Sequence, residues 1–211
     1  MKKGKFITFE GVDGCGKTTQ LELLNDYLKQ KNYNTITTLE PGGCPLGKNL
    51  REILLHYDAY VDDTCELFLY LADRSQHTNT IVIKNVEEGN IVLCDRFIDS
   101  TVAYQGYGRG LDIDRLNFLN DIATRSYLPD LTFLFDIDIE TAQTRVGKVK
   151  DRLEKESLDF HKKVRAGYLD LAKKYPQRIK VIDATKSIEE VFIKVKEEAD
   201  KILWKINYYL L

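Results

Sequence analysis

The sequence predicts an α/β fold in which a five-stranded parallel sheet carries helices on both of its faces. Five short runs of apolar, β-branched or aromatic residues predict the strands, at 6–10, 35–39, 91–94, 131–136 and 179–182. Helical periodicity fills the gaps, and the runs lack polar alternation, which is typical of strands buried on both faces. Ligands of such sheets bind at the carboxyl ends of the strands. The residues that follow each strand are therefore the first candidates for a functional site.

The first predicted strand leads into a segment with the spacing of a phosphate-binding loop. Gly11, Gly16, Lys17 and Thr18 match the pattern G-x-x-x-x-G-K-[ST], and a helix-forming run follows at 20–30. Glycines let successive N–H groups turn toward an anion, and the helix directs its positive end at the same point. The lysine can reach the outer phosphates and the threonine hydroxyl can bind Mg²⁺. We predict a P-loop NTPase fold; the alternative is a glycine-rich turn without a ligand.

Asp13 is unusual inside such a loop. Its carboxylate would repel a triphosphate unless it faces elsewhere. The position indicates a second substrate that approaches the loop from its other side.

Polar residues also follow the second and third predicted strands. Glu40 opens a loop rich in Pro and Gly at 40–47, and Arg51 lies one helical turn further on. Asp95 ends the third strand beside the phosphate loop, where a carboxylate can act on Mg²⁺ or its waters, and Arg96 can bind a phosphate. The alternative for 40–47 is a plain connection between a strand and a helix.

A helical run from about 63 to 88 places Tyr70, Arg74 and His77 on one face, at i, i+4 and i+7. An aromatic ring and a guanidinium one turn apart can hold a flat ring and its phosphate. The alternative is a packed tyrosine and a surface arginine, and we interpret His77 as structural. Further along, the amide of Gln105 offers a donor and an acceptor for a nucleobase edge, or else belongs to a capped surface turn.

The segment 145–152 packs four cations and a glycine into eight residues. Near a strand's carboxyl end it predicts a small basic lid that closes on phosphates, although a solvated charged face is the alternative. A helix is predicted at 151–174, with Phe160, Val164, Tyr168 and Leu171 as packing residues. In the last part of the chain, Ser187 and Glu190 form a capping box before a final amphipathic helix.

Composition excludes several classes of protein. The 211 residues suit one domain, or one domain with a small lid, and 31 basic against 33 acidic residues give a net charge of −2. This balance gives no sign of nucleic acid as a partner, and no apolar run approaches the ~20 residues that span a bilayer. The amino-terminal segment lacks the apolar core of a signal peptide. The four cysteines form no C-x-x-C pair, so we expect reduced thiols in a cytoplasmic protein.

Five ordered motifs resemble those of the thymidylate kinases, in the bacterial arrangement, over nearly the whole chain. They are Phe-Glu-Gly-Val-Asp-Gly-Cys-Gly-Lys-Thr-Thr at 9–19, Glu-Pro-Gly-Gly-x-Pro-Leu-Gly at 40–47, Ala-Asp-Arg-x-Gln-His at 72–77, Asp-Arg-Phe-x-Asp-Ser-Thr-x-Ala-Tyr-Gln-Gly at 95–106 and Asp-Arg-Leu-Glu at 151–154. The resemblance implies transfer of a phosphoryl group from ATP to dTMP, with Mg²⁺, by a single domain at 1–211. It also implies a lid near 145–154 and a homodimer.

The resemblance further implies which residues bind and react. It places ATP at Gly11, Val12, Asp13, Gly14, Cys15, Gly16, Lys17, Thr18, Thr19, Arg145, Asp183 and Ala184. It places dTMP at Asp13, Glu40, Arg51, Tyr70, Arg74, Arg96, Ser100, Thr101, Tyr104 and Gln105. The catalytic residues would be Lys17, Asp95, Arg96 and Arg152, and the metal would lie at Thr18 and Asp95.

Several roles follow from the same resemblance. Asp13 would contact the sugar 3′-hydroxyl, and Tyr104 would crowd the 2′ position and favour deoxyribose. Tyr70 stands where the family usually has a phenylalanine that stacks on thymine. Arg74 and Gln105 would bind the edge of the base. Arg96 would hold the phosphate of the acceptor, and Arg145 would stack near adenine.

One departure concerns the cation that neutralises the developing charge. Some members carry an arginine inside the phosphate loop where this chain has Gly14, so the cation would come from the lid. Arg152 is the first choice, and Lys148 and Lys150 are substitutes that lack a bidentate fork.

Three other functions stay open at this point. The first is a kinase for another monophosphate or for a deoxynucleoside. The second is a GTPase switch, which needs an Asn-Lys-x-Asp guanine motif that the chain lacks. The third is a weak nucleotide-binding module that assembles through its apolar carboxyl-terminal tail.

Overall fold

A parallel five-stranded sheet forms the centre of the computed structural model, which describes residues 4–147 and 151–204. The strands lie in the order β2-β3-β1-β4-β5, and every neighbouring pair is parallel. They span β1 Lys5–Glu10, β2 Thr35–Leu39, β3 Ile91–Asp95, β4 Leu131–Asp136 and β5 Ile179–Asp183. The predicted fold class is confirmed. Because β1 is flanked by β3 and β4, the segment after β1 lies at the middle of the sheet's carboxyl edge.

Helices connect the strands and cover the sheet. They are α1 Lys17–Gln30, α2 Pro45–His56, α3 Asp63–His77, α4 Ile83–Glu87, α5 Ile98–Thr101, α6 Ile113–Thr124, α7 Ile139–Arg145, α8 Leu158–Lys174 and α9 Ile188–Trp204. Two π-helical segments, Thr78–Val82 and Val102–Gly108, join α3 to α4 and extend α5. The first of them interrupts the helical run predicted at 63–88.

The helix predicted at 151–174 begins seven residues later, at Leu158, so that prediction was wrong at its amino-terminal end. Asp151 and Glu154 bond to each other's backbone N–H groups and close a single turn. The Ser157 hydroxyl then accepts the N–H of Phe160 at 3.1 Å and caps the true helix start. The segment 151–156 therefore forms a turn of its own and is not the first turn of α8.

Two buried clusters cover the two faces of the sheet. The larger includes Ile7, Phe9 and Phe133, and the smaller includes Phe6 and Phe97, whose rings meet edge to face at 4.9 Å. Adjacent residues of β1 thus enter opposite clusters, as expected for a strand buried on both sides. The four residues predicted to pack along α8 are all buried.

The final helix confirms the predicted capping box. Ser187 N–H donates to Glu190 at 3.0 Å, and Glu190 N–H donates to the Ser187 hydroxyl at 3.2 Å. Of the apolar face predicted on this helix, Val195 and Ala199 are fully buried, whereas Ile188 is 54% exposed at the helix start. Among the helices of the described residues, none combines the length and the apolar character needed to cross a membrane.

Candidate functional site

The predicted phosphate loop connects β1 to α1, which begins at Lys17 with its first-turn N–H groups beside the loop. The Lys17 ammonium donates to the carbonyl oxygens of Gly11 at 3.2 Å and Val12 at 3.1 Å. Gly14 has a φ of +80°, and a Cβ there would collide with the carbonyl oxygen of Ala142. In this conformation the loop therefore has no room for a side chain at position 14.

Thr18, in the first turn of α1, and Asp95, at the end of β3, bring two oxygen ligands together. The Thr18 hydroxyl donates to the Asp95 carboxylate at 2.9 Å. Hydroxyl and carboxylate oxygens are the hard ligands that Mg²⁺ binds, so this pair fits that ion. Within the described residues there is no group of three or more His, Cys, Asp or Glu side chains that could hold a metal without help from substrate or water.

Asp13 and Arg96 form an ion pair at the mouth of the loop. One Arg96 nitrogen lies 2.5 Å from the Asp13 carboxylate, and the Tyr104 hydroxyl lies 3.2 Å from the same nitrogen. Burial raises the pKa of Asp13, but the positive charges of Arg96 and Lys17 outweigh it and hold that pKa well below its ordinary value. The carboxylate is thus ionised, and it contacts Arg96 and the Tyr104 hydroxyl.

Glu10 is a buried carboxylate that supports Arg96 through the hydroxyl of Tyr168. Glu10 accepts hydrogen bonds from Phe97 N–H at 2.7 Å, the Ser100 hydroxyl at 2.6 Å and the Tyr168 hydroxyl at 3.0 Å. The Tyr168 hydroxyl in turn lies 3.2 Å from Arg96. Burial and the nearby Asp99 raise the pKa of Glu10 from 4.5 to about 7. Sequence reasoning missed this support: it treated Tyr168 as packing only, although Glu10 does end a strand.

Arg74 is fully buried and binds four partners. Its Nε donates to Glu40 at 2.9 Å, and one terminal nitrogen donates to Asn120 at 2.8 Å and to the Thr101 hydroxyl. The other terminal nitrogen donates to the Phe97 carbonyl at 2.9 Å. The arginine is therefore not the surface residue that the alternative interpretation described.

His77 lies on the same helix face. Its contacts agree with the structural role that we inferred for it from the sequence. Its ring contacts Glu40 at 2.8 Å through Nδ1 and Thr38 at 2.7 Å through Nε2. Both contacts hold the start of the 40–47 loop against α3, and the Asp73 carboxylate binds the same loop through Gly42 N–H at 3.0 Å.

Gln105 lies in the buried π-helical segment and not in a surface turn. Its amide Nε2 donates to Glu66 at 2.8 Å, and Glu66 is completely buried. The Arg152 guanidinium lies 2.6 Å from the same Glu66 carboxylate and donates to the Leu54 carbonyl at 3.0 Å. Arg152 thus faces α3 rather than the phosphate loop. The two substitute cations predicted for the lid, Lys148 and Lys150, fall outside the described residues.

Two cavities meet at the phosphate loop. The larger, about 690 Å³, is lined by loop and α1 residues together with Arg145, Ala184 and Ile188. The smaller, about 90 Å³, lies on the other side of Asp13 and Arg96, which line both cavities. All ten residues predicted for dTMP line the smaller one, which brings together side chains from distant parts of the chain: Asp13, Glu40, Arg51, Tyr70, Arg74, Arg96, Ser100, Thr101, Tyr104 and Gln105.

The residues predicted for ATP are gathered less completely. Asp13, Gly14, Cys15, Gly16, Lys17, Thr18, Thr19, Arg145 and Ala184 line the larger cavity. Arg145 donates to the Ala184 carbonyl at 3.2 Å, which closes the far end of the cavity. Gly11 and Val12 do not line this cavity, and the Asp183 carboxylate turns to Thr185 instead, at 2.6 Å from its hydroxyl.

Comparison with known proteins gives consistent matches. The family model described as thymidylate kinase matches residues 9–195. The thymidylate kinase of Thermoanaerobacter sp. (strain X514) is 46% identical over 202 residues, covering 95% of this chain and all of that relative. That of Maridesulfovibrio salexigens is 48% identical over 201 residues, with 90% and 93% covered. The crystal structure of thymidylate kinase from Ehrlichia chaffeensis matches with a TM-score of 0.78 and 38% identity, over 94% of this chain and 99% of that one.

Proposed function

The chain belongs to the thymidylate kinase family, and we propose that it transfers the γ-phosphoryl group of ATP to dTMP, giving ADP and dTDP. The observation that carries the proposal is the pair of cavities that share Asp13 and Arg96. Two nucleotides seated on opposite sides of this pair would point their phosphates at each other. That arrangement suits direct transfer between them, without a covalent intermediate on the protein.

On the donor side, the phosphates of ATP lie on the loop 11–18. Lys17 exchanges its two backbone carbonyl partners for phosphate oxygens, and the amino end of α1 adds its N–H groups. Arg145 stacks on adenine beside Ala184 at the far end of the larger cavity. Thr18 and Asp95 hold Mg²⁺, which when bound neutralises charge on the phosphate oxygens.

On the acceptor side, Tyr70 stacks on thymine while Arg74 and Gln105 bind the edge of the base. Arg96 binds the acceptor phosphate, assisted by Arg51, which lines both cavities. A phosphate monoester has its second pKa near 6, so its oxygens are already nucleophilic at neutral pH and need no general base. These residues therefore act by position and charge.

Asp13, Tyr104, Glu40, Ser100 and Thr101 complete the acceptor site. The Asp13 carboxylate accepts the sugar 3′-hydroxyl, and the Tyr104 ring crowds the 2′ position. The other three line the same cavity, and Glu40 also lines the larger one. Glu40 acts through Arg74, to which it is bonded at 2.9 Å.

A single domain with a lid at 145–154 fits this arrangement. Asp151 and Leu153 line the smaller cavity, and Glu154 lines the larger one, so one short turn touches both substrates' sites. As the catalytic cation we keep Arg152, which must leave its ion pair with Glu66 to reach the phosphates. Lys148 and Lys150 remain its substitutes.

We further propose a homodimer located in the cytoplasm. Phe118 and Ile122, one turn apart on α6, are 66% and 58% exposed, and Phe68 on the adjacent α3 is 56% exposed. An apolar face of this kind indicates a protein contact. The four cysteines are free thiols, which suits a reducing compartment. Phe118→Glu should convert the dimer to monomers in sedimentation velocity, and an unchanged sedimentation coefficient would contradict the dimer face.

A coupled assay of ADP release tests the reaction itself. The panel contains dTMP, dUMP, dCMP, dAMP, dGMP and thymidine at matched concentrations with ATP. We expect the highest kcat/KM with dTMP. Equal rates with the other monophosphates would contradict the assigned acceptor, and nucleotide-dependent stabilisation without turnover would favour a binding module.

A further inference from the structure

The orientation of the Gln105 amide is fixed by a partner that lies outside the cavity. Its Nε2 donates to Glu66 at 2.8 Å, and within the described part of the chain no group donates to its Oε1. A carboxylate can only accept hydrogen bonds, so Glu66 requires the NH₂ end of the amide. The oxygen end is left for the cavity that Gln105 lines. This assignment follows from the chemistry of the carboxylate and holds whichever way an amide is built.

Glu66 is held in the ionised form by Arg109, and also by Arg152 for as long as that ion pair is formed. Arg109 approaches it with two nitrogens at 3.4 and 3.2 Å, and Arg152 approaches at 2.6 Å. Burial alone would raise the pKa of Glu66, but the hydrogen bonds from Gln105 and Arg109 and the charges of the two arginines bring it below its ordinary value. A protonated Glu66, which could donate to the amide oxygen, is therefore excluded near neutral pH.

Arg74 offers a hydrogen-bond donor to the same cavity, whereas Gln105 offers an acceptor. Its Nε and three of its four terminal N–H groups are occupied by Glu40, Thr101, Asn120 and the Phe97 carbonyl. One terminal N–H remains, and a guanidinium can only donate. The cavity thus offers a donor from Arg74 and an acceptor from Gln105. Thymine and uracil carry the complementary pair, the O4 acceptor and the N3–H donor, whereas cytosine carries the reverse pair.

We propose that Glu66 is a positioning residue that decides which pyrimidine the acceptor site takes. By holding the Gln105 amide with its oxygen toward the cavity, Glu66 selects bases that carry N3–H and rejects cytosine. The inference rests on the proposed function, because it concerns the acceptor of that reaction. It differs from a structural role in one respect: removing Glu66 changes the ratio of two substrates and not only the amount of folded enzyme.

The test replaces the carboxylate by a group that can both donate and accept. In Glu66→Gln the new amide lets Gln105 turn over and present either end to the cavity. We expect the ratio of kcat/KM for dTMP over dCMP to fall about tenfold, the size of one unmet buried hydrogen bond. The ratio for dTMP over dUMP should stay as in the wild type, because both bases carry N3–H. An unchanged dTMP/dCMP ratio, or an equal fall in both ratios, would overturn the inference.

Arg109 supplies the matched controls. Arg109→Gln removes ion pairs from the same cluster but leaves Glu66 bonded to Gln105, so both substrate ratios should remain those of the wild type. If Glu66→Gln does not fold, the charge-balanced double variant Glu66→Gln/Arg109→Gln takes its place and is compared with Arg109→Gln alone. A double variant that keeps the wild-type dTMP/dCMP ratio would also refute the role of Glu66.

The outcomes separate this inference from the proposed function. A wild-type chain that prefers dTMP, with a Glu66→Gln variant that prefers it equally, contradicts the inference alone. A wild-type chain that phosphorylates dCMP as fast as dTMP contradicts the assigned acceptor. Calorimetric Kd values for dTMP, dUMP and dCMP give the same ratios without turnover, so the role of Glu66 is decided even for a chain that transfers no phosphate.

Discussion

The donor and acceptor halves of the site are built in different ways. The donor half is largely one continuous segment, 11–19, whose glycines and helix start present backbone N–H groups. The acceptor half is a network of side chains contributed by loops, helices and a π-helical segment far apart in sequence. Gln105 and Glu66, for example, are 39 residues apart, and Glu10 and Tyr168 are 158 apart.

The difference matters for what a substitution does. A backbone cradle tolerates changes in its side chains unless the changed group itself touches phosphate, so its variants should lose rate before they lose stability. A buried polar network binds substrate with groups that also hold the fold together. Its variants should therefore lose both rate and stability.

Lys17→Ala should have the largest effect on rate. It removes an ammonium that contacts the carbonyl oxygens of Gly11 and Val12 and that we propose binds the outer phosphates. Loss of ~4 kcal/mol of transition-state stabilisation corresponds to a fall in kcat of about 10³-fold. Steady-state ADP release at saturating dTMP measures it, and an unchanged melting temperature is the control that ties the loss to the donor half.

Arg74→Met should have the largest effect on stability. It leaves Glu40 without its buried cation and leaves the Asn120 side-chain oxygen without its donor. Breaking such a pair destabilises by roughly 3 kcal/mol, or a fall in melting temperature of about 6–12 °C for a chain of this size. Thermal melts at equal protein concentration measure it. A variant that loses activity but melts like the wild type would contradict the claim that the acceptor half also stabilises the fold.

Glu10→Gln should change how stability depends on pH. The pKa of Glu10 is about 7 in the folded chain and 4.5 ordinarily, so the folded chain binds more protons between these values. The free energy of unfolding therefore falls as pH rises through this window. Urea melts at pH 5 and pH 8 should show that the variant reduces this fall by about 1–3 kcal/mol.

Asp73→Asn serves as the comparison for that measurement. Burial and the nearby Glu40 raise the pKa of Asp73 to about 6. The contribution of Asp73 to the free energy of unfolding is therefore lost at a lower pH than that of Glu10. An identical pH profile in Glu10→Gln and the wild type would mean that Glu10 titrates normally.

Asp183→Asn should have the smallest effect. Sequence resemblance placed Asp183 at the adenine end, but its carboxylate bonds to Thr185, and the neighbouring Ala184 lines the cavity instead. We expect the KM for ATP to stay within about twofold of the wild type, since surface changes alter free energies by under ~0.5 kcal/mol. A tenfold increase in the KM for ATP would indicate that Asp183 does contact ATP.

The same contrast explains what could be predicted from the sequence. Strand positions and the loop from Gly11 to Thr18 follow from local patterns, and Asp95 follows from the rule that ligands gather at strand ends. Glu66 has no such signal, because it is one acidic residue on an amphipathic helix. Its burial depends on Arg109 and Arg152, which only the folded chain brings to it.

The start of one helix was predicted wrongly for a related reason. The turn at Asp151 satisfies the pattern of a helix start, with reciprocal bonds to Glu154. The helix itself begins only after Ser157, which competes for the same role with its own cap. Local propensity cannot choose between two starts six residues apart, whereas the packing of Phe160 into the core can.

The central place of β1 has a consequence for synthesis on the ribosome. Lys5 pairs with Ile91 and Ile7 pairs with Leu131, so β1 meets β3 only after residue 91 has been made and meets β4 only after residue 131, well past half of the 211 residues. At ordinary elongation rates this wait is on the order of ten seconds. Throughout it an apolar segment and its glycine turn are available to chaperones, and a nascent chain halted before residue 131 cannot complete the ATP cradle.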